Sequence, residues 1–567
     1  MKNLKSTLML IILFMGFVVN ANNHPNILFI SIDDLRPELG CYGNSKIQSP
    51  HIDALANKGT VFSEAYCQVP VCGASRASLM TGLYPTKDRF VTYYAKAQTD
   101  AAGIPDIPAW FKKHGYKTIS NGKIYHDRND NSDSWDKVFR DKDYKIYHLE
   151  ENLSLPEKLQ PAYEGADVDD MDYAGGPVLK ETIRDLRESK TSGKPFFLAV
   201  GFTKPHLPFN APKKYWDLYD RKKTKLADNP FIPKGAPTEA MHEWNELRNM
   251  YGGIPSEGPV SDELARTLIH GYYACVSYSD AMVGEILKEL DKLEMRDNTI
   301  VILWGDHGWQ LGEHALWCKH ALFRTSLRSP LIISAPKYRK KQISQSLVEF
   351  VDIYPTLCEL AGIKMPEHLD GLSLVPILDN FKVSLKEAIY GRYHAGDSVK
   401  MGDFQYTQWN SGAKMLYNHK LDEAENINIV DDLKYKKVVS KIERWLNNFR
   451  KIRDDKEPMI LAAAGIKIGD NRPPVWQKRT AKLKAAYAEE PFSNYVNWLA
   501  SDKDGDDLVY SLDSGPEWIK LDNPKYGHLV GIPSSANIGE NVCIISVTDG
   551  VNPPVSIRIE IDVVSKP

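Results

Sequence analysis

The stretch Asn26-Ile27-Leu28-Phe29-Ile30-Ser31-Ile32-Asp33-Asp34 constrains the fold more than any other part of this chain. A continuous apolar run of that length reads as a strand buried on both faces, the setting of a parallel sheet covered by helices. It ends on two adjacent carboxylates. In open α/β sheets ligands bind at the carboxyl ends of the strands, so Asp33 and Asp34 reach the functional edge, although paired acids there also serve as helix N-caps. A second run, Thr299-Ile300-Val301-Ile302-Leu303-Trp304, leads into Gly305-Asp306-His307-Gly308. Only a shared sheet edge brings two such distant strand ends together. A third run, Phe196-Phe197-Leu198-Ala199-Val200-Gly201, precedes Thr203-Lys204-Pro205-His206-Leu207-Pro208, whose two prolines stiffen the loop.

Between the first two runs lies Cys72-Gly73-Ala74-Ser75-Arg76, followed by Thr81-Gly82-Leu83-Tyr84-Pro85-Thr86. A lone cysteine is ordinarily a small buried hydrophobe. This core resembles the maturation signature of formylglycine-dependent (type I) sulfatases, C-x-[P/A]-S-R followed by TG, with Ala74 where proline is commoner. Further matches follow in the family's order: Asp33-Asp34, Gly122-Lys123-Ile124-Tyr125-His126, Lys204-Pro205-His206, Asp306-His307 and Lys319. The K-x-x-H and KPH elements are similar to those of the iduronate-2-sulfatase branch. The likeness runs from about residue 24 to about residue 450.

That resemblance implies an α/β, alkaline-phosphatase-like sandwich with a central mixed, mostly parallel sheet. It places the catalytic domain at 22–385 and a small C-terminal α+β subdomain at 386–460, an antiparallel sheet closed by a helix near 431–450. It implies that Cys72 is oxidised by a formylglycine-generating enzyme to an aldehyde whose hydrate is the nucleophile. Asp33, Asp34, Asp306 and His307, with residue 72, then ligate a divalent cation, and an oxygen-dominated set favours calcium, with magnesium second. Arg76, Lys123 and Lys319 neutralise the sulfate, His206 or Lys319 protonates the leaving alcohol, and His126 takes a proton from the nucleophile.

Local patterns fill in the rest. Ser49–Ala56 reads as a capped helix leading into a strand over Thr60–Ala65, and Ala77–Gly82 as the helix that carries the nucleophile. Residues 107–126 read as a helix, a Gly115 stop and a strand, and 127–190 as a polar, irregular, substrate-side insertion. Residues 262–293 read as one long helix with apolar positions at helical spacing. Beyond Asn471 the texture changes to short alternating strands with turn residues (Ser514-Gly515-Pro516, Thr548-Asp549-Gly550). This region, 461–567, resembles the cadherin-like or Ig-like β-sandwich modules of exported proteins. Its acid cluster Asp502–Asp506 is equally a calcium site or a solvated turn.

The 567 residues, 43% hydrophobic and 26% charged, describe a globular multidomain chain. A net charge of −3 excludes a broadly basic nucleic-acid binder. Seven scattered cysteines without a CxxC exclude a zinc cluster or a disulfide framework and leave a Cys41–Cys67 bridge open. Lys2, Lys5, the apolar run Leu8–Val19 and Ala21 read as a secretory signal over residues 1–21, giving a periplasmic or secreted protein that is not integral to a membrane. The expected function is hydrolysis of sulfate esters on a sulfated polysaccharide or its oligosaccharides. Algal ulvan, carrageenan or fucoidan come first, with 2-O-sulfated uronic acid suggested by the branch. Two other readings stand beside it: a catalytically silent carbohydrate-binding protein on this scaffold, and a phosphatase or phosphodiesterase of the same superfold.

Overall fold

The structure, a computed structural model, describes residues 24–141, 144–463, 473–502 and 508–565. The expected signal segment lies outside the described residues, as does most of the 502–506 acid cluster. In chain order the strands of the main sheet are β1 (Asn26–Ile32), β2 (Thr60–Phe62), β3 (Lys117–Gly122), β4 (Lys137–Phe139), β5 (Phe196–Phe202), β6 (Thr299–Gly305), β7 (Leu331–Ser334) and β8 (Gln342–Ser344). They lie side by side in the order β8-β2-β7-β6-β1-β5-β3-β4. The five strands from β6 to β4 are parallel, and β7 runs against both β6 and β2. β1 sits centrally, and every residue after Asn26 is buried. Its Phe29 ring lies 5.6 Å from Phe197 on β5 and 5.3 Å from Trp304 on β6, so aromatic packing links the three central strands.

Four helices matter to the site: α1 (Cys72–Thr81), α2 (Gly175–Ser192), α3 (Asn245–Arg248) and α4 (Asp262–Lys292). α4 is capped by Ser261, whose hydroxyl accepts from the Leu264 amide at 3.2 Å, with Asp262 and Glu263 in the first turn. A second, antiparallel sheet follows, made of β9 (Ala388–Tyr393), β10 (Gly396–Met401), β11 (Phe404–Trp409) and β12 (Lys414–Asn418). Helix α5 (Lys436–Asp454) closes it, burying Ile442 and Leu446 with Tyr390, Val399, Tyr406 and Leu416. Beyond residue 473, one sheet of long strands (Gly539–Thr548, Val555–Val564) and a three-stranded sheet enclose a separate apolar core that includes Phe492, Leu529, Ile545 and Ile559.

Four local expectations change. Helix α1 begins at Cys72 itself, not at Ala77, so the cysteine is the first helical residue. The strand expected over Thr60–Ala65 is two pieces, Thr60–Phe62 and Ala65–Tyr66. Cys41 and Cys67 are both free. Residues 127–190 are not simply irregular: they contain β4 and all but the last two residues of the 18-residue helix α2. The buried face of α2 mixes Val178, Leu179 and Leu186 with Thr182 and Asp185, which blunts the apolar period. Asp185 is satisfied there by the Asn121 amide at 2.9 Å and by Lys137. Pro177 falls in the first turn, where its missing N–H costs nothing.

The edge that carries the site depends on one close backbone approach. Gly122 ends β3 at φ 78 and pairs with Gly201 of β5. A Cβ at Gly201 would stand 2.0 Å from the Lys123 carbonyl oxygen, and one at Gly122 would stand 2.1 Å from the Gly201 carbonyl oxygen. Gly201→Ala is therefore expected to cost about 1–3 kcal/mol, as overpacking does, read from urea unfolding. An unchanged midpoint would show that the sheet edge has room to spare.

Candidate active site

β1 and β6 are adjacent, parallel and in register, with Ile32 opposite Gly305. The next residues of each strand are Asp33-Asp34 and Asp306-His307, and this register alone brings the two pairs together. Asp34 turns off the strand at φ 59, a left-handed conformation that costs a non-glycine residue about 1–3 kcal/mol. Two bonds hold it there: its amide donates to Asp306 Oδ1 at 3.0 Å, and the Tyr272 hydroxyl of α4 donates to its carbonyl at 2.8 Å.

Helix α1 points its N-terminus, with free N–H groups and positive potential, at this edge. Cys72 Sγ lies 3.3 Å from His307 Nε2 and 3.8 Å from Asp34 Oδ1. Gly73 is required beside it, since a Cβ would stand 1.9 Å from the Tyr93 carbonyl oxygen. One turn along, Ser75 donates to the Asp306 carbonyl. Arg76 is fully buried and its guanidinium is committed: Nε to Asp306 Oδ2 at 2.9 Å, Nη2 to Asp33 Oδ1 at 2.9 Å, and Nη1 to Ser31 Oγ and the carbonyls of Lys123 and Ile124. The structure thus commits Nε, Nη1 and Nη2 of Arg76 to Asp306, Asp33, Ser31 and two backbone carbonyls. It orients the two carboxylates.

The donor set fits a cation. Asp34, Cys72, Asp306 and His307 form one group of ligand atoms within 4.8 Å of one another, and Asp33, Asp34, Cys72 and His206 form another. His307 Nδ1 donates to the Gly308 carbonyl at 2.9 Å, which leaves the Nε2 lone pair facing Asp34 Oδ1 at 3.3 Å. A neutral imidazole in that position and the facing carboxylate oxygen would together suit a cation between them. The two neighbouring aspartates are also driven apart. Burial alone would raise Asp33, but Lys123 and Arg76 more than offset it and hold the carboxyl well below the usual range. Burial raises Asp34, and Lys319 offsets only part of that.

The facing half of the site is cationic. Lys123, delivered by the Gly122 turn, is buried and paired with Asp33. Lys319 sits between two left-handed residues, Cys318 (φ 71) and His320 (φ 58), with its ammonium 4.9 Å from the Trp309 ring centroid. It lies 3.0 Å from Asp34 Oδ1 and 2.9 Å from Glu246 Oε1. His206 Nδ1 donates to the Leu207 carbonyl at 2.7 Å, and its Nε2 lies 3.0 Å from Glu246 Oε1. Both ring nitrogens face oxygens that only accept, so this ring is held as an imidazolium. His126 is the opposite case. Burial first and the Lys123 charge second push it down to about 2, so it stays neutral, and its buried Nδ1 has no partner.

The structure therefore gathers Asp33, Asp34, Cys72, Asp306, His307, Lys123, Lys319 and His206 at one edge, with His126 beside them against Tyr93, ring centroids 5.8 Å apart. Glu246 was not foreseen. It stands in Trp244-Asn245-Glu246-Leu247, which carries no motif, and only the fold brings it to Lys319 and His206.

Comparison with known proteins bears on the chemistry. Residues 25–363 match the family described as Sulfatase, and residues 312–452 match N-sulphoglucosamine sulphohydrolase, C-terminal. Iduronate 2-sulfatase of Homo sapiens is 34% identical over 383 residues, 60% of this chain and 70% of that protein. A sulfatase of Formosa agariphila is 30% identical over 445 residues, 74% of this chain and 85% of that one. Among solved structures, one in complex with its substrate D-glucosamine-2-N,6-O-disulfate has a TM-score of 0.63 at 23% identity, covering 77% of this chain and 99% of its own. The phosphonate monoester hydrolase of Agrobacterium radiobacter has a TM-score of 0.64 at 22% identity, covering 76% and 96%. These two likenesses show the alkaline-phosphatase-like sulfatase fold.

Removing Arg76 leaves Asp33 and Asp306 buried without their shared partner. Arg76→Ala is expected to destabilise the protein by about 3–5 kcal/mol, the range for breaking a buried pair. Arg76→Lys should recover little of that, because an ammonium has no fork to bridge two strands. Urea denaturation checks both, and a lysine variant of wild-type stability would remove the bridging role.

Proposed function

Since this chain belongs to the sulfatase family, we propose that it hydrolyses sulfate esters on a sulfated polysaccharide or its oligosaccharides, outside the cytoplasm. The family consists of sulfuric ester hydrolases that use formylglycine and a metal ion. One observation carries the reading: the Cys72 side chain opens a buried helix and points into the cluster of Asp34, Asp306 and His307, with Lys319 and His206 beyond Asp34. For the substrate we favour an algal polysaccharide such as ulvan, carrageenan or fucoidan, or a 2-O-sulfated uronic acid. The uronic acid is supported by the 34% identity to iduronate 2-sulfatase. Export to the periplasm or beyond rests on the signal-like residues 1–21.

Formylglycine at position 72 supplies, as its hydrate, two hydroxyls on one carbon. Asp33, Asp34, Asp306 and His307 would hold a divalent cation, calcium ahead of magnesium because three of the four are carboxylates, and the cation adds positive charge at the reacting oxygens. The chain's own residues do the rest. Lys123 and Lys319 offset the charge of the sulfate, which otherwise repels any nucleophile. His206, protonated on both nitrogens, carries a proton on Nε2 that can pass to the departing sugar oxygen. His126, neutral with a free Nδ1, is fitted to accept one. Burial keeps the unmodified Cys72 thiol well above the ordinary cysteine range, despite Lys123 and Lys319, so an unconverted thiol is a poor nucleophile here.

Co-expression with a formylglycine-generating enzyme is expected to yield protein whose Cys72 peptide is about 18 Da lighter than the cysteine form. That protein should release sulfate from at least one member of a panel of sulfated oligosaccharides, whereas Cys72→Ala should release none while melting normally. Full activity in the alanine variant, with contaminating enzyme excluded, refutes the assignment.

Exhaustive chelation is expected to lower the melting temperature and stop sulfate release, because the clustered carboxylates lose their countercharge. Calcium should restore both, and Asp306→Ala should imitate chelation even in excess calcium. Full activity in a sample shown by elemental analysis to be metal-free would contradict the metal reading.

A further inference from the structure

Glu246 is the carboxylate at the site that neither strand end accounts for. The short helix α3 that carries it is firmly anchored. Trp244 enters it at φ 50 and is buried, and the Arg248 guanidinium lies 3.6 Å from the Trp244 ring centroid. Arg248 also donates to the carbonyls of Pro255 at 2.6 Å and Gly258 at 2.5 Å, and Leu247 is 1% exposed. Glu246 Oε1 is thereby set between Lys319 Nζ at 2.9 Å and His206 Nε2 at 3.0 Å. Its other oxygen, Oε2, is buried with no hydrogen-bond partner.

A buried carboxylate oxygen without a donor costs free energy, so hydrogen bonding alone does not explain this arrangement. The lasting consequence is a negative charge beside two cations, Lys319 and His206. Asp34 also touches Lys319, but it belongs to the ligand groups and Glu246 does not. Glu246 Oε1 meets two donors, Lys319 Nζ at 2.9 Å and His206 Nε2 at 3.0 Å, a pairing that favours its charged form.

The charge of the substrate then matters. A sulfate monoester carries one negative charge, whereas a phosphate monoester, whose second pKa is about 6, approaches two at neutral pH. The inorganic sulfate left after hydrolysis also carries two. Resting on the sulfatase reading above, we propose that Glu246 is a specificity-determining residue: its carboxylate cancels part of the positive charge of Lys319 and His206, so that the pocket accepts a monoanionic sulfate ester and disfavours dianionic phosphate esters and dianionic product. The same two cations that hold the ester would otherwise bind any tetrahedral oxyanion, and more tightly as its charge rises.

The test uses the full chain, matured at Cys72 and loaded with calcium, as wild type, Glu246→Gln and Glu246→Asp. kcat/KM is measured for p-nitrophenyl sulfate and p-nitrophenyl phosphate, with inhibition constants for inorganic sulfate and phosphate. Glutamine keeps an acceptor oxygen but removes the charge. It should raise the phosphate-to-sulfate ratio of kcat/KM roughly tenfold or more, and tighten both inhibition constants by a similar factor. Aspartate keeps the charge and should keep the wild-type ratio. If Glu246→Gln does not melt as a folded protein, Glu246→Asn repeats the comparison with a shorter neutral side chain. An active wild type whose glutamine variant loses both activities in proportion, with unchanged inhibition constants, overturns the proposal and leaves Glu246 a positioning residue. A matured wild type that releases sulfate neither from p-nitrophenyl sulfate nor from any member of the oligosaccharide panel overturns the sulfatase reading, and this proposal with it.

Discussion

The buried guanidinium of Arg76 is the interaction on which the site depends. It spans Asp33 at the end of β1 and Asp306 at the end of β6, both at 2.9 Å and with all three side chains fully buried. Taking such charges out of water costs several kcal/mol per ion, and their mutual attraction offsets this only when the geometry is good and every donor is used. Here Nη1 is used by Ser31 and by the carbonyls of Lys123 and Ile124, and Cζ lies 5.4 Å from the Trp304 ring centroid. One side chain therefore fixes two strand ends, the start of α1 and the loop that delivers Lys123. Its value is less in stability than in register. A shift of β6 by one residue against β1 would remove Asp306 from the fork and turn its neighbours to the other face.

Much of this was legible in the chain, for identifiable reasons. The runs Asn26–Ile32, Phe196–Phe202 and Thr299–Gly305 are buried on both faces, so they lack alternation and stand out from the polar sequence around them. The acids and the histidine that follow them are short-range consequences of strand ends. The extent of α4 was plain because its buried positions recur at helical spacing over 31 residues.

What stayed hidden depends on contacts that sequence spacing does not encode. Helix α2 escaped notice because Asp185 and Thr182 sit on its buried face, satisfied by Asn121 and Lys137 from other strands. The partners of Arg76 are likewise not encoded in spacing. Its commitment to Asp33 and Asp306 is visible only once β1 and β6 are paired. Glu246 has no local signature at all, because its neighbours Trp244, Leu247 and Arg248 serve to anchor α3, and Lys319 and His206 reach it from distant segments.

The two halves of the site consequently differ in mechanical character. Asp33, Asp34, Asp306 and His307 emerge directly from neighbouring strands of the central sheet, and the strain stored at Asp34 is held by Asp306 and Tyr272. His206, Lys319 and Glu246 stand instead on the 203–208 loop, on a segment where Cys318 and His320 are left-handed, and on a single helical turn. Ligand geometry tolerates little displacement, so it falls to the sheet. Loops can change without disturbing the strand register that Arg76 enforces. The cationic half is thus built on segments that can vary, Glu246 among them, while the cluster of Asp33, Asp34, Asp306 and His307 is fixed by the sheet.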